Sequence, residues 1–146
     1  MTIGIMLLML SSCYYFNQVV DDIKESNKIS KTRRKDGDNA YQNDKYKEDV
    51  YKVIDDIAKR PVNKKVQFEG TELIIPDNTV INPDSWTLLD LKTGYGLPIS
   101  FSTQGLCLNK TVKGKVYGLS YNDYISGVKE IGKKIEKANG FIYTCK

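Results

Sequence analysis

Three cysteines are the residues of this 146-residue chain best suited to chemistry. Cys13 lies in an apolar N-terminal run, whereas Cys107 and Cys145 lie in the polar remainder. An odd count divided in this way indicates one disulfide, between Cys107 and Cys145, and one separate thiol. Two unpaired buried thiols are the alternative. Because disulfides persist in oxidising compartments, we expect the bond to close the C-terminal part of an exported domain.

The other side chains argue against catalysis. The chain has no histidine, so it lacks the commonest general base and the commonest metal ligand. A cysteine nucleophile would need such a base. Neighbouring carboxylates, such as Asp21-Asp22 and Asp55-Asp56, are typical of a solvated surface. The sequence has neither a phosphate-binding loop nor zinc-ligand spacing. We therefore expect a protein that is not an enzyme and holds no cofactor or metal.

An apolar run opens the chain and predicts contact with a membrane. It extends from Met1 to Phe16, and the first charged residue is Asp21. Because a bilayer span takes about 20 mostly apolar residues, the run is short for a span and suits a signal sequence. The side chains expected in the membrane, or in a core of bundled helices, are Ile3, Ile5, Met6, Leu7, Leu8 and Leu10.

Three interpretations of this run stay open. Leu10-Ser11-Ser12-Cys13 resembles the lipobox of bacterial lipoproteins, in which the cysteine is lipidated, although secretory signals normally begin with a basic residue that is absent here. Alternatively, the run continues as an amphipathic stalk helix, because Val19, Val20 and Ile23 share one helical face. No Pro or Gly interrupts residues 5–34. The third possibility is a plain uncleaved anchor.

The remainder of the chain predicts a small α+β domain. A helix is expected from about Ala40 to Arg60, where apolar residues recur at helical spacing until Pro61 ends the pattern. Pro98 predicts that one strand starts at a sheet edge. Strands or short extended pieces are expected at Val66–Ile75, Trp86–Leu91, Leu97–Ser102 and Lys115–Leu119.

A lysine-rich helix is expected near the C-terminus. Ser120 is a candidate N-cap, and Asn139-Gly140 ends the helix. Phe141–Cys145 then reads as a final strand. The net charge of +4 is small and the lysines are spread along the chain, so we expect no nucleic-acid partner.

This layout resembles a type IV pilin, most closely the type IVb subclass, as architecture over most of the chain. Met1–Arg34 is similar to the stalk helix, Leu73–Asn78 to the turn into the sheet, and Pro98–Phe101 to a strand before the first cysteine of the C-terminal disulfide. The resemblance implies an α+β fold in which a long N-terminal helix packs on a small antiparallel sheet with a disulfide-closed C-terminal region. The basic leader and stalk glutamate of major pilins are missing, so it implies a minor pilin or a chain shortened at its start.

Two functions follow as expectations. In the first, residues 1–35 form a membrane and stalk helix and residues 36–146 form a globular head. The protein is then a structural subunit of a type IV pilus or related secretion filament. Its partners are other pilin subunits and the assembly machinery, and it waits in the inner membrane with a periplasmic head. In the second, it is an outer-membrane lipoprotein anchored through Cys13 and accessory to a secretion or conjugation system.

Overall fold

The computed structural model describes residues 44–146, which form two helices and eight strands. The helices are α1 (Asp44–Ala58) and α2 (Ser126–Asn139). The strands are β1 (Val62–Phe68), β2 (Thr71–Pro76), β3 (Thr79–Ile81), β4 (Thr87–Asp90), β5 (Gly96–Ser102), β6 (Leu108–Val112), β7 (Lys115–Tyr121) and β8 (Ile142–Tyr143).

The strands form two antiparallel sheets. β1 and β2 make a hairpin of their own, whose turn holds Gly70 at a φ of 86°, a conformation that favours glycine. The other six strands form one sheet in the order β3-β4-β5-β7-β6-β8, and every neighbouring pair is antiparallel. β3 and β8 are therefore the two edges of the larger sheet.

The main core lies between the six-stranded sheet and a layer made of the two helices and the hairpin. The helices contribute aliphatic side chains at helical spacing, which are Val53, Ile54, Ile57, Val128, Ile131 and Ile135. The sheet and the hairpin contribute Phe68, Leu73, Ile75, Leu88, Leu97, Ile99, Phe101, Tyr117 and Leu119. The helix predicted up to Arg60 and the apolar face of the C-terminal helix are thus confirmed over the described residues.

Two glycines let α2 approach its neighbours closely. A Cβ atom at Gly127 would lie 2.5 Å from Cγ2 of Ile54 on α1. A Cβ atom at Gly132 would collide with the ring of Tyr121 on β7. Both neighbours are part of the packed core or rest on it, so neither position has space for a larger side chain.

The predicted fold class is wrong. Residues 44–146 are mostly β, with eight strands and two helices of 15 and 14 residues, and no long N-terminal helix is among them. The predicted stalk helix, Met1–Arg34, and the boundary between residues 35 and 36 lie outside the described residues. The sheet is larger than expected because β3 and β6, where no strand was predicted, pair as strands.

The prediction that Pro98 marks an edge at the start of its strand is confirmed. β5 as a whole lies between β4 and β7, but its pairs with β7 begin at Ile99, so residues 96–98 have a partner strand only on the β4 side. The pairing of β4 with β5 is also irregular here, with a register shift between the pairs Thr87–Ser100 and Leu89–Gly96. Pro98 lies at this irregularity. A proline lacks a backbone N–H, and within a sheet a bulge tolerates it as an edge does.

The start of the C-terminal helix differs from the prediction, whereas its end agrees. Ser120 belongs to β7, where it pairs with Ser100 of β5, and the helix has Ile125 at its N-cap without a side-chain hydrogen bond. Gly140 ends the helix in the left-handed conformation at a φ of 73°, as predicted. The final strand is confirmed but spans only Ile142–Tyr143.

Candidate functional site

The predicted disulfide between Cys107 and Cys145 is confirmed. The S–S distance is 2.02 Å, the two Cα atoms are 4.9 Å apart, and the bond joins positions separated by 38 residues. It lies where β6 begins and just after β8 ends. Next to it, the N–H of Thr144 donates to the carbonyl of Cys107 at 2.7 Å, and Nδ2 of Asn109 donates to Oγ1 of Thr144 at 2.7 Å. The disulfide and these bonds fix β8 against β6.

β8 presents an open backbone edge. Its pairs with β6 are Leu108–Tyr143 and Asn109–Ile142. In an antiparallel strand, alternate residues direct their N–H and C=O groups to opposite sides. The bond from Thr144 to Cys107 shows that residues 142 and 144 face β6. The N–H and C=O of Tyr143 therefore point away from β6, on a side where no other strand of residues 44–146 pairs.

Exposed apolar side chains gather around this edge. Ile142 is 67% exposed and Tyr143 is 63% exposed. Of six large exposed hydrophobic residues in the described part of the chain, three lie next to the disulfide, which are Leu106, Ile142 and Tyr143. A fourth, Val116, lies on β7 close to Gly105, since a Cβ there would be 4.0 Å from its Cγ1. We call residues 142–145 the β8 edge. Clustered exposed apolar residues are typical of a surface that contacts another molecule.

Three of these side chains share the outer face of the sheet, the face turned away from the helices. Ile142 pairs with Asn109, which in turn pairs with Gly118, and directly opposed residues share a face. Leu106 covers Gly118, since a Cβ there would lie 2.7 Å from Cγ of Leu106. Val116 is two residues from Gly118 on the same strand. Leu106, Val116 and Ile142 are called the outer patch below.

Other strand edges in the described region are protected by polar side chains. Lys64 of β1 extends its Nζ to the carbonyl of Thr79 on β3 at 2.6 Å. On β2, the N–H of Ile74 donates to Oδ1 of Asn139 at 2.7 Å, and Nδ2 of Asn139 donates to the carbonyl of Ile74 at 2.7 Å. Asn139 thus satisfies the backbone of β2 as a neighbouring strand would. No comparable side chain covers Tyr143 among residues 44–146.

β6, β7 and β8, within residues 107–121 and 140–146, contain no Asp or Glu. Two lysines lie beside β8. Lys110 follows Asn109, which pairs with Ile142, and Lys146 follows Cys145. Neither takes part in an ion pair within the described residues. This part of the molecule therefore combines apolar side chains, an open backbone edge and unneutralised positive charge.

Away from the β8 edge, a buried polar cluster joins three segments of the chain. Asp90 is fully buried, and its Oδ1 accepts a hydrogen bond from Nη1 of Arg60 at 2.9 Å. Oδ2 of Asp90 accepts the N–H of Thr93 at 3.1 Å, and Arg60 also donates to the carbonyl oxygens of Asp77 and Asn78 at 3.2 Å each. Because these groups satisfy one another, the cluster serves the fold, not a ligand.

The same guanidinium makes a more exposed ion pair. Nη2 of Arg60 donates to Oδ2 of Asp56, one helical turn earlier, at 2.6 Å. This hydrogen bond lowers the pKa of Asp56, although partial burial opposes the shift. Burial also opposes the charge on Arg60, but its hydrogen bonds to Asp56 and Asp90 outweigh that effect, so its pKa is raised.

Tyr121 is the tyrosine with the largest perturbation in the described region. Partial burial against α2 is the main cause, and the hydrogen bond that its hydroxyl donates to Oε2 of Glu136 at 3.1 Å is the second. Together they raise its pKa to about 12. Both effects favour the neutral phenol, which is suited to fixing α2 on β7 and not to acid–base chemistry near pH 7.

The N-terminal residues singled out by the sequence lie outside the described residues. These are Ile3, Ile5, Met6, Leu7, Leu8, Leu10 and Cys13. Neither α1 nor α2 is long and apolar enough to cross a bilayer. Residues 44–146 hold no group of three or more Cys, Asp or Glu side chains placed to ligate a metal.

The chain matches no family model, no curated protein and no solved structure. The identification of the β8 edge as a candidate site therefore depends on geometry alone. Sequence reasoning located the disulfide but missed this edge. The available indication was the Phe141–Cys145 run, where consecutive apolar residues on both faces of a strand come before a cysteine and no acidic residue is near.

Proposed function

We propose that this chain is a small, non-enzymatic lipoprotein of the bacterial envelope, lipidated at Cys13, with residues 44–146 as an exported binding domain. The observation that supports this most is the Cys107–Cys145 disulfide. Such bonds persist outside the reducing cytoplasm. The bond also uses both cysteines of the domain, so Cys13 has no cysteine partner left in its own chain. Cys13 is the last residue of Leu10-Ser11-Ser12-Cys13, and the last residue of a lipobox is the cysteine that is lipidated.

The polar groups of the domain support a binding role over catalysis. The best-buried charges, Asp90 and Arg60, satisfy each other and backbone groups. Tyr121 is held neutral at pH 7. The unsatisfied features of the described surface are instead the β8 edge and the outer patch, which are suited to contact with another protein. Accessory binding in an envelope assembly is the role that fits this surface.

Metabolic labelling with radioactive or alkyne palmitate tests the proposal. The full chain is expressed in a bacterial host that processes lipoproteins. We expect label in the wild type and none in Cys13→Ser. Ser12→Ala keeps a small residue before the cysteine and should stay labelled. The double variant Cys107→Ser/Cys145→Ser should also stay labelled, which separates loss of Cys13 from loss of thiols in general. An unlabelled wild type would refute the lipid anchor.

A second candidate is a minor subunit of a type IV pilus or related secretion filament. The observation in its favour is that a disulfide encloses the C-terminal segment, as in the pilin resemblance. Its partners would be other pilin subunits and the assembly machinery. The DNA upstream of Met1 separates the two. An in-frame basic leader followed by a glutamate would favour the filament subunit and count against lipidation.

A further inference from the structure

We propose that the β8 edge binds an extended acidic segment of a partner protein, which adds to the six-stranded sheet as a further strand beside Tyr143. The inference goes beyond the proposed lipid anchor and does not depend on it. Three independent features of residues 44–146 meet at this edge, and each restricts what can bind there.

The first feature is the backbone. The N–H and C=O of Tyr143 point outward, because residues 142 and 144 are the ones that face β6. An added strand can therefore pair with Tyr143 through both groups, as in other cases of strand addition. The disulfide next to Thr144 keeps β8 in place before the partner arrives, which reduces the entropy lost on binding.

The second feature is the pair of apolar side chains on opposite faces of β8. Ile142 lies with Leu106 and Val116 in the outer patch, whereas Tyr143 lies on the face that carries Leu108 and Leu119. A partner strand that lies alongside would cover apolar surface on both faces of the sheet. Natural proteins usually protect such edges with charge or with a covering side chain, as Lys64 and Asn139 do elsewhere in this domain.

The third feature is charge, and it selects the partner. Lys110 and Lys146 lie beside β8, and the strands β6, β7 and β8 contain no acidic residue. A second copy of this chain would bring the same positive charge to the contact, which opposes pairing of two β8 edges. A partner strand with Asp or Glu between apolar residues would instead complement the lysines. The occupant that fits is therefore an acidic extended segment of a different protein.

Binding of synthetic strands to the purified full chain tests the proposal. The probe is a short acetylated peptide that alternates glutamate with valine. One control peptide alternates lysine with valine. A second has the glutamate sequence but carries N-methyl groups on amides that point to both of its edges. We expect saturable binding of the glutamate peptide, and at least ten-fold weaker binding of both controls. Equal binding of the N-methylated peptide would overturn strand addition.

Variants of the protein locate the contact. Tyr143→Pro removes the outward N–H without touching the inward bonds of β8, and should raise the Kd for the glutamate peptide at least ten-fold. Tyr143→Ala keeps that N–H and should cost less. Lys110→Glu/Lys146→Glu should weaken binding about three-fold or more, whereas the matched reversal Lys47→Glu/Lys59→Glu, at exposed positions in α1 and just after it, should change it less than two-fold.

Two further outcomes would contradict the proposal. Unchanged binding by Tyr143→Pro, with its disulfide shown intact by non-reducing mass spectrometry, would place the peptide elsewhere. Concentration-dependent dimerisation of the wild type that Tyr143→Pro abolishes would show that a second copy occupies the β8 edge. The N-methylated peptide acts on the unmodified protein, so the test remains decisive even if Tyr143→Pro fails to fold.

Discussion

Asp90 is the side chain on which the stability of the domain depends most at the scale of single residues. It is fully buried, and its charge is balanced by Arg60 and by hydrogen bonds from the turn that follows β4. Removing one partner of a buried ion pair leaves the other charge uncompensated, which costs far more than removing a surface partner. Arg60 offers a direct comparison, because it also binds the half-exposed Asp56.

The first prediction compares the two carboxylates. We expect Asp90→Ala to lower the free energy of unfolding by about 3 kcal/mol. Asp56→Ala removes a partner of the same guanidinium from a side chain that is 52% exposed, and should cost no more than about 1 kcal/mol. Urea denaturation followed by circular dichroism measures both. Equal losses in the two variants would contradict the assignment of Asp90 as the buried anchor.

The second prediction concerns alkaline pH and Tyr121. The folded state holds its pKa at about 12, above the ordinary value of 10.0. The unfolded state therefore releases this proton first, so the stability from Tyr121 is complete below about pH 10 and is lost as the pH rises towards 12. Tyr121→Phe keeps the ring over Gly132 but has no proton to lose.

The measurement is the free energy of unfolding at pH 8 and at alkaline pH for both proteins. The wild type should lose about 1 kcal/mol more than Tyr121→Phe between these conditions, after allowance for solvent screening of a partly exposed group. Identical pH dependence in the two proteins would show that neither burial nor Glu136 raises the pKa of Tyr121 in the folded state.

At the scale of elements, Asn139 joins the last turn of α2 to β2. It exchanges two hydrogen bonds with Ile74 and donates a third to the carbonyl of Ile135 at 2.8 Å. Asn139→Ala leaves the backbone groups of Ile74 unsatisfied in a largely buried site, so we expect a loss of about 2–3 kcal/mol. Asn122→Ala is the matched control, because Asn122 makes an exposed bond to the N–H of Tyr124.

Hydrogen exchange adds a local measurement to that comparison. Asn139→Ala should accelerate exchange of the N–H of Ile74 more than that of other amides in β2, whereas Asn122→Ala should leave it unchanged. Global destabilisation without a selective effect at Ile74 would mean that the two elements are held by apolar contacts alone.

Local patterns predicted the elements that depend on neighbours in sequence. The helical spacing in α1 and α2, the extended pieces around Gly70 and the end of α2 at Gly140 follow from residues a few positions apart. β6 was missed because the middle of its sequence, LNKTV, is polar. It forms a strand because it pairs with β7 on one side and with β8 on the other. Ser120 was misassigned because pairing with Ser100 outweighs its preference for a cap.

At the scale of the whole molecule, the Cys107–Cys145 disulfide cross-links the C-terminal part of the chain. The disulfide joins positions separated by 38 residues, so the segment between them includes β6, β7, α2 and β8. In the chain-entropy model a loop of this length contributes about 3–4 kcal/mol. Cys107→Ser/Cys145→Ser should therefore lower the unfolding free energy by that amount. It should also expose the amides next to β8, since only two residue pairs then hold this strand to β6.

Thermal unfolding with and without reductant measures the effect on the wild type and the double variant. Reductant should lower the Tm of the wild type and leave that of the variant unchanged. A wild type whose Tm is insensitive to full reduction would contradict a stabilising role for the bond.

The candidate site shows the limit of sequence reasoning at this scale. The pairing of Cys107 with Cys145 could be predicted from their number and placement, because Cys13 lies apart in an apolar run. The β8 edge could not, because its exposure depends on strand order. The backbone of Tyr143 faces outward because β8 lies beyond β6 at the end of the sheet. Leu106 covers Gly118 because of the path that residues 103–106 follow.

The most direct test of the envelope assignment is non-reducing peptide mapping of the full chain isolated from bacterial membranes. We expect one peptide pair linked through Cys107 and Cys145, and a Cys13 that carries acyl groups at the start of the mature chain. A free, unmodified Cys13 thiol would contradict the lipid anchor. Reduced Cys107 and Cys145 in freshly isolated protein would contradict export to an oxidising compartment.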